Sequence, residues 1–255
     1  METLKYPQHW IARKQEKKRI SVITAYDGTM ARLVDRSEID AILVGDSLAM
    51  TVQGNSSTLP VTLDEMIYHC RMVRRNFSRF VIGDLPFGSV HISQEQAVAS
   101  AVRMIKETGV DAVKLEGASS LSLEIVRHLT SIGVPVMGHL GFLPQSIHTL
   151  GGYRVQGKGA GDHLVMQARA LQDAGCFAIV LELTAEEVAG QITRVLSIPT
   201  IGIGSGTHTD GQVQVLHDVL GLDPDFLPRH AWKQKDLWKE ITEAFSAFDS
   251  KVKRA

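Results

Sequence analysis

The chain has almost no cysteine: Cys70 and Cys176 stand alone in apolar surroundings, with no CxxC pair. That argues against a thiolate-rich zinc site and reads as two buried thiols in a reducing compartment. Charge of one sign is lacking too, since 27 Lys and Arg face 28 Asp and Glu for a net charge of -1. Such a balance exerts no long-range pull on nucleic acid or membrane, so neither partner is expected. No stretch approaches the roughly 18 uninterrupted apolar residues of a membrane-spanning helix. Glu2, Lys5, Gln8, Arg13 and Lys14 break any signal-peptide core, and the cytoplasm is the expected compartment. The basic segment 13–19 contains Glu16 and runs straight into an apolar strand, so it reads as a solvated helix, part of an N-terminal helical extension of about residues 1–18.

What is present is a regular alternation. Short Val- and Ile-rich runs occupy 20–26, 41–46, 80–85, 112–116, 134–139, 177–183 and 198–203. They lack polar alternation, as strands covered on both faces do. A weaker eighth strand is expected at 225–227, bracketed by Pro224 and Pro228. Between the runs lie stretches with helical spacing. One opens at Thr62 with Glu65 three residues on, a capping-box pattern, and another opens at Ser93 and stops at Gly109. Further helices are expected at 122–132, 163–174, 186–196, 211–220 and 238–252. Strands joined by helical crossovers are parallel, and seven or eight such units in 255 residues favour one closed (β/α)8 TIM barrel domain spanning 1–255. Two connections, 48–60 and 141–161, are long and rich in Gly, Ser, Thr or Asn. Both follow strand C-termini, where barrels place their chemistry.

The strand ends carry groups that a buried strand does not need. Asp46 and Ser47 end Ala41-Ile42-Leu43-Val44-Gly45, Asp84 ends Phe80-Val81-Ile82-Gly83, and Lys114 and Glu116 end another run. Singly, each would be a cap or a surface ion pair. Together at one barrel mouth, three carboxylates and a hydroxyl form a hard oxygen-donor set that suits Mg²⁺, and Lys114 adds positive charge for an anionic substrate. Glu182, in Ala178-Ile179-Val180-Leu181-Glu182-Leu183, admits two readings: a general base whose pKa burial raises, or a buried Glu paired with a neighbouring Lys or Arg. His139, in Gly138-His139-Leu140, could be a ligand, an acid or a satisfied structural histidine beside the site. The turn Gly202-Ile203-Gly204-Ser205-Gly206 lacks GxGxxG spacing, so a phosphate or carboxylate cradle or a tight backbone approach is favoured over a dinucleotide site.

Taken in order, Thr24-Ala25-Tyr26-Asp27, Gly45-Asp46-Ser47-Leu48, Ser57-Thr58-Leu59-Pro60-Val61-Thr62, Asp84-Leu85-Pro86-Phe87, Lys114-Leu115-Glu116-Gly117, Gly138-His139-Leu140-Gly141, Pro144-Gln145-Ser146 and Gly151-Gly152-Tyr153 resemble the ketopantoate hydroxymethyltransferase family. The likeness runs from Tyr26 to Leu222. It implies a barrel of the phosphoenolpyruvate/pyruvate type and one Mg²⁺ per subunit, held by Asp46, Asp84 and Glu116. Asp46, Ser47, Asp84 and Lys114 would contact the oxo acid, and Glu182 would be the proton acceptor. It further implies 5,10-methylenetetrahydrofolate as one-carbon donor to 3-methyl-2-oxobutanoate, 2-dehydropantoate as product on the way to pantothenate, a Mg-stabilised enolate between them, and a homodecamer. Asn55-Ser56 and Gly88-Ser89 depart from the family's usual residues and bear on the loops above the site. Two other readings use the same strand ends: a Mg-dependent lyase or mutase of the same superfamily, and a non-catalytic oxo-acid-binding barrel.

Overall fold

In the computed structural model, which describes residues 3–159 and 161–254, eight parallel strands close into a barrel in sequence order. They are β1 Ile20–Thr24, β2 Ala41–Val44, β3 Phe80–Asp84, β4 Ala112–Glu116, β5 Val136–Gly141, β6 Ala178–Glu182, β7 Thr200–Ile203 and β8 Gly211–Gln214. Every residue of β2, β3 and β4 is buried, which is why β2 and the first four residues of β3 are unbroken apolar runs, while β4 carries the buried Lys114 and Glu116. The parallel register sets Asp84 opposite Lys114, Glu116 opposite His139, and Gly141 opposite Glu182. The polar strand ends are thereby brought level at the C-terminal mouth.

Helices clad the barrel where their start signals place them. Leu63–Arg74 opens with the capping box: Thr62 Oγ1 accepts from the Glu65 N–H, and the Glu65 carboxylate accepts from the Thr62 N–H. Gln94–Thr108 is capped by the Ser93 hydroxyl and ends at Gly109 in a left-handed conformation. The helix expected over 211–220 divides instead into β8 and the short helix Leu216–Leu220. Gly211 has no room for a side chain against the Ile20 carbonyl of β1, and this close approach completes the barrel. Residues 225–227 are exposed and form no strand.

The N-terminal basic segment is solvated over 15–19, as expected, but not at Arg13 and Lys14. In the helix Pro7–Gln15, Arg13 is buried and pairs with Asp40 at 3.2 Å, and Lys14 pairs with Asp210 at 2.7 Å. Between them the helix drives Trp10 into the core, edge-on to Phe80 and Phe177 at 5.4 and 5.5 Å. Phe80 begins β3 and Phe177 precedes β6, so this aromatic plug closes the end of the barrel opposite the polar strand ends. Burying such rings contributes about 1.5–3 kcal/mol each, and the flanking ion pairs anchor the helix that carries Trp10.

The residues group into two compact units, one ending at Val213 and one beginning at Gln214. In the second, the Gln234 N–H donates to the Val219 carbonyl at 2.8 Å, and the Trp238 N–H donates to the Gly221 carbonyl at 3.0 Å. The helix Leu237–Arg254 follows, with no residue buried. Its Trp238, Ile241, Phe245, Phe248 and Val252 are all exposed and recur at steps of three and four, a continuous apolar seam. Among the described residues no helix is long and apolar enough to cross a membrane.

Candidate active site

Lys114 and Glu116 sit two residues apart on β4, so strand periodicity sends both side chains to one face. The Lys114 ammonium lies 2.8 Å from Asp84 Oδ2 and 3.8 Å from Glu116 Oε1. His139 continues the chain: its Nδ1 is 3.4 Å from both the Lys114 ammonium and Glu116 Oε1, and its Nε2 is 3.3 Å from Glu182 Oε2. Asp46 enters from beyond β2, where its N–H donates to Asp84 Oδ2 at 3.1 Å. Ser47 Oγ and Asp84 Oδ2 flank Gly45, whose missing side chain leaves room for both, and Ser47 is fixed by the Tyr26 hydroxyl at 2.8 Å. All seven residues singled out from the sequence therefore converge.

Burial and mutual charge set their ionisation. Burial pushes the Asp46 carboxyl well above its ordinary range, and the neighbouring Asp84 charge adds to this against Lys114. Asp84 is raised by burial too, with Lys114 opposing and Glu116 reinforcing. For Glu116, burial is outweighed by His139 and Lys114, and the carboxyl falls below its usual value. Burial and Lys114 both disfavour a charged His139, yet Glu116 and Glu182 on either side lift it to about 9. Lys114 is raised because the carboxylates overcome its desolvation. Full ionisation of the four carboxylates would leave two negative charges unbalanced against Lys114 and a protonated His139. A dry site must offset that with protons or with a divalent cation.

The donor set fits such a cation. Asp84 Oδ1 and Glu116 Oε1 are buried oxygens with no hydrogen-bond partner among the described residues. With Asp46 they form an oxygen-only set of the hardness Mg²⁺ prefers. As the side chains stand, no three His, Cys, Asp or Glu among the described residues are arranged to hold an ion, and Lys114 lies between the carboxylates instead.

The two long connections meet over this mouth. Tyr153, from 141–161, reaches Met50 of 48–60 with its hydroxyl 3.8 Å from the sulfur. Burial raises the Tyr153 phenol, and the Glu182 and Asp46 charges raise it further, which puts it within their field. Glu182 is 15 % exposed at its side chain, and its charged neighbour is His139 rather than a Lys or Arg. The glycine-rich turn proves to be a brace: the buried Ser205 hydroxyl accepts from the Thr184 N–H at 2.9 Å and donates to the Leu181 carbonyl at 2.7 Å, pinning the strand end that carries Glu182. Two residues of the site were not singled out from the sequence. Tyr26 had only its place in the Thr24–Asp27 motif to mark it. Gln145 had only its place in the Pro144–Ser146 motif, where Pro144 starts the turn and exposes the next N–H.

A closed (β/α)8 barrel with an acidic oxygen cluster at its C-terminal mouth defines the class. Solved structures of the same fold include phosphoenolpyruvate phosphomutase from Streptomyces platensis subsp. rosaceus, with a TM-score of 0.66 and 12% identity over 98% of this chain and 88% of that one. Another is 2,3-dimethylmalate lyase, a PEP mutase/isocitrate lyase superfamily member, with a TM-score of 0.62 and 18% identity over 99% of this chain and 89% of that one. At the level of sequence, the family model described as ketopantoate hydroxymethyltransferase matches residues 6–255. The 3-methyl-2-oxobutanoate hydroxymethyltransferase of Anaeromyxobacter sp. (strain Fw109-5) is 49% identical over 94% of this chain and 81% of its own length. The protein of that name from Leptospira interrogans serovar Lai is 49% identical over 94% and 92%. The chain belongs to the ketopantoate hydroxymethyltransferase family, and the expectations of a closed (β/α)8 barrel and of a hydroxymethyltransferase both hold.

Proposed function

We propose that this chain transfers a hydroxymethyl group from 5,10-methylenetetrahydrofolate to 3-methyl-2-oxobutanoate, giving 2-dehydropantoate for pantothenate synthesis. The observation that carries this reading is the Asp46–Asp84–Lys114–Glu116–His139–Glu182 chain inside a barrel of this family. Asp46, Asp84 and Glu116 are the residues that would hold Mg²⁺. When bound, it would supply a Lewis acid for the oxo acid's carboxylate and keto oxygens. Lys114, fixed by Asp84, presents a permanent positive charge where negative charge develops on the substrate. Ser47, fixed by Tyr26, offers a hydroxyl to the same substrate. Glu182 takes the proton from C3, and His139 holds its carboxylate in place on the side away from solvent. The C3 carbon then bonds to the methylene carbon, both C–N bonds that hold that carbon to the folate break, and water supplies the hydroxyl oxygen; the proton taken from C3 and one from the water end on the two freed folate nitrogens.

The same reading includes three further assignments. The barrel and its N-terminal helix act with the residues after Val213 as one domain. The two free, buried cysteines suit the reducing cytoplasm. The exposed apolar seam of Leu237–Arg254 supports a homo-oligomer, a decamer by family likeness. The activity is tested by incubating the protein with Mg²⁺, the oxo acid and methylenetetrahydrofolate. Formation of 2-dehydropantoate above the protein-free rate is expected, and its absence would remove the assignment.

A further inference from the structure

Gln145 lies on the loop after β5, is only 6 % exposed, and touches three other strand ends at once. Its Nε2 donates to Asp46 Oδ2 at 2.9 Å and to the Leu85 carbonyl, just past β3, at 3.0 Å. Its backbone N–H donates to Glu116 Oε2 at 3.2 Å. Pro144 explains the last contact. It fixes the first residue of the turn and has no N–H of its own, so the next amide is a free donor at the start of a helical turn, where a carboxylate is favoured.

The orientation of the Gln145 side-chain amide is fixed by chemistry. Both groups facing Nε2 are acceptors, so turning the amide over would set oxygen against oxygen twice. Oε1 therefore faces the other way, and it is a buried acceptor with no partner among the described residues. Asp84 Oδ1 and Glu116 Oε1 of the same site also accept no hydrogen bond among the described residues, Glu116 Oε1 having only its ion pairs with Lys114 and His139. A fully buried acceptor calls for a donor, and a water molecule held among these oxygens is one.

We propose that Gln145 is a positioning residue that locks Asp46 and Glu116 into the orientation in which they bind a divalent cation, with its carbonyl oxygen accepting from a water of that cation's shell. The proposal rests on the reading of Asp46, Asp84 and Glu116 as the cation's ligands. Asp46 is repelled by Asp84 and hydrogen-bonded at its carboxylate by Gln145, so without that amide its oxygens are free to turn away from the shared centre. Partners that orient ligating carboxylates are commonly worth about 10- to 100-fold in metal affinity. The loop 141–161 is tied to the cluster by the same residue, so ligand orientation and loop placement are set together.

The test is Mn²⁺ binding to the full chain, read by electron paramagnetic resonance of the free ion, with substrate absent. The variants are Gln145→Met, which keeps length and apolar volume, and Gln145→Asn, which keeps the amide but falls short of Asp46. Both are compared with the unaltered chain by urea unfolding. The expected result is a Kd for Mn²⁺ raised about 10- to 100-fold, or about 1.4–2.7 kcal/mol, in whichever variant stays folded, with little change in its unfolding midpoint. A folded variant that binds Mn²⁺ as tightly as the unaltered chain overturns the positioning role and leaves the metal reading standing. An unaltered chain that binds no Mn²⁺ overturns both. If neither variant folds, Gln145 is structural and the proposal is wrong.

Discussion

Replacing Lys114 with Met is the sharpest probe of the buried charge cluster. The Lys114 side chain is 5 % exposed and its Asp84 partner 1 %. At an effective dielectric of about 20, the 2.8 Å contact is worth about 6 kcal/mol before desolvation, and the 3.8 Å contact to Glu116 about 4 kcal/mol. Much of this is offset by the burial of the ammonium itself, and removing one partner of such a pair typically costs about 3–5 kcal/mol. The loss should depend on pH. Asp84 and Asp46 already have carboxyls raised by burial, and without the lysine they rise further. A carboxyl whose folded pKa lies above its unfolded value favours folding when protonated, so its destabilising effect appears as pH rises through the folded pKa. Urea unfolding followed by circular dichroism should therefore show a larger loss at about pH 8 than at about pH 5. Excess Mg²⁺ at pH 8 should restore stability, by about 2.7 kcal/mol at 100 times its Kd. A variant as stable as the parent, or one with the same loss at both pH values and no response to Mg²⁺, would refute the electrostatic description of this site.

Gly141→Ala should be severe, because Gly141 has φ +95° and an added Cβ would run into the Glu182 carbonyl and the Thr184 hydroxyl. Overpacking of about 1–3 kcal/mol and displacement of the Glu182 strand end should lower turnover by about 100-fold; turnover near the parent's would show that this strand contact does not set the base. In the second unit, burial and then the neighbouring Asp223 raise the Asp218 carboxyl to about 6. Its folded pKa lies above the unfolded one, so the unfavourable effect is absent below about pH 4 and complete above about pH 7. Because Asp218 is partly exposed, Asp218→Asn should stabilise by only about 1 kcal/mol at high pH and not at low pH; equal melting shifts at both ends would contradict this. Replacing Phe245 and Phe248 by Glu puts charges on the exposed seam of the C-terminal helix, and sedimentation should then show a smaller assembly, whereas an unchanged mass would remove the seam from the oligomer contact.

The legible parts of the fold were those whose physics is local. β2 and β3 are covered on both faces, so their sequences show unbroken apolar runs with a polar residue only at or just past the tip, and Lys114 inside β4 stands out against the same background. Thr62 and Glu65 announce a helix start because both halves of the reciprocal cap lie within four residues. β8 was not legible: it is four residues long, carries Gln212 and Gln214, and is specified by the close approach of Gly211 to β1, a contact across the barrel seam. Arg13 and Lys14 were misread for a similar reason. Their partners, Asp40 and Asp210, are distant in sequence, and only folding turns a basic run into two anchored ion pairs. At the site, the charged strand tips stood out because burial makes them anomalous. Gln145 carries no charge, lies in a loop, and gains its place only through partners 29 to 99 residues away.

The central claim is that this barrel mouth removes the C3 proton of a branched 2-oxo acid through Glu182. It is tested most directly by incubating the protein with Mg²⁺ and 3-methyl-2-oxobutanoate in deuterated water, without folate, and following loss of the C3 proton signal by NMR. The account predicts exchange well above the protein-free rate, and its abolition in Glu182→Gln with oxo-acid binding largely retained. No exchange by the unaltered protein, or equally fast exchange by Glu182→Gln, would contradict it.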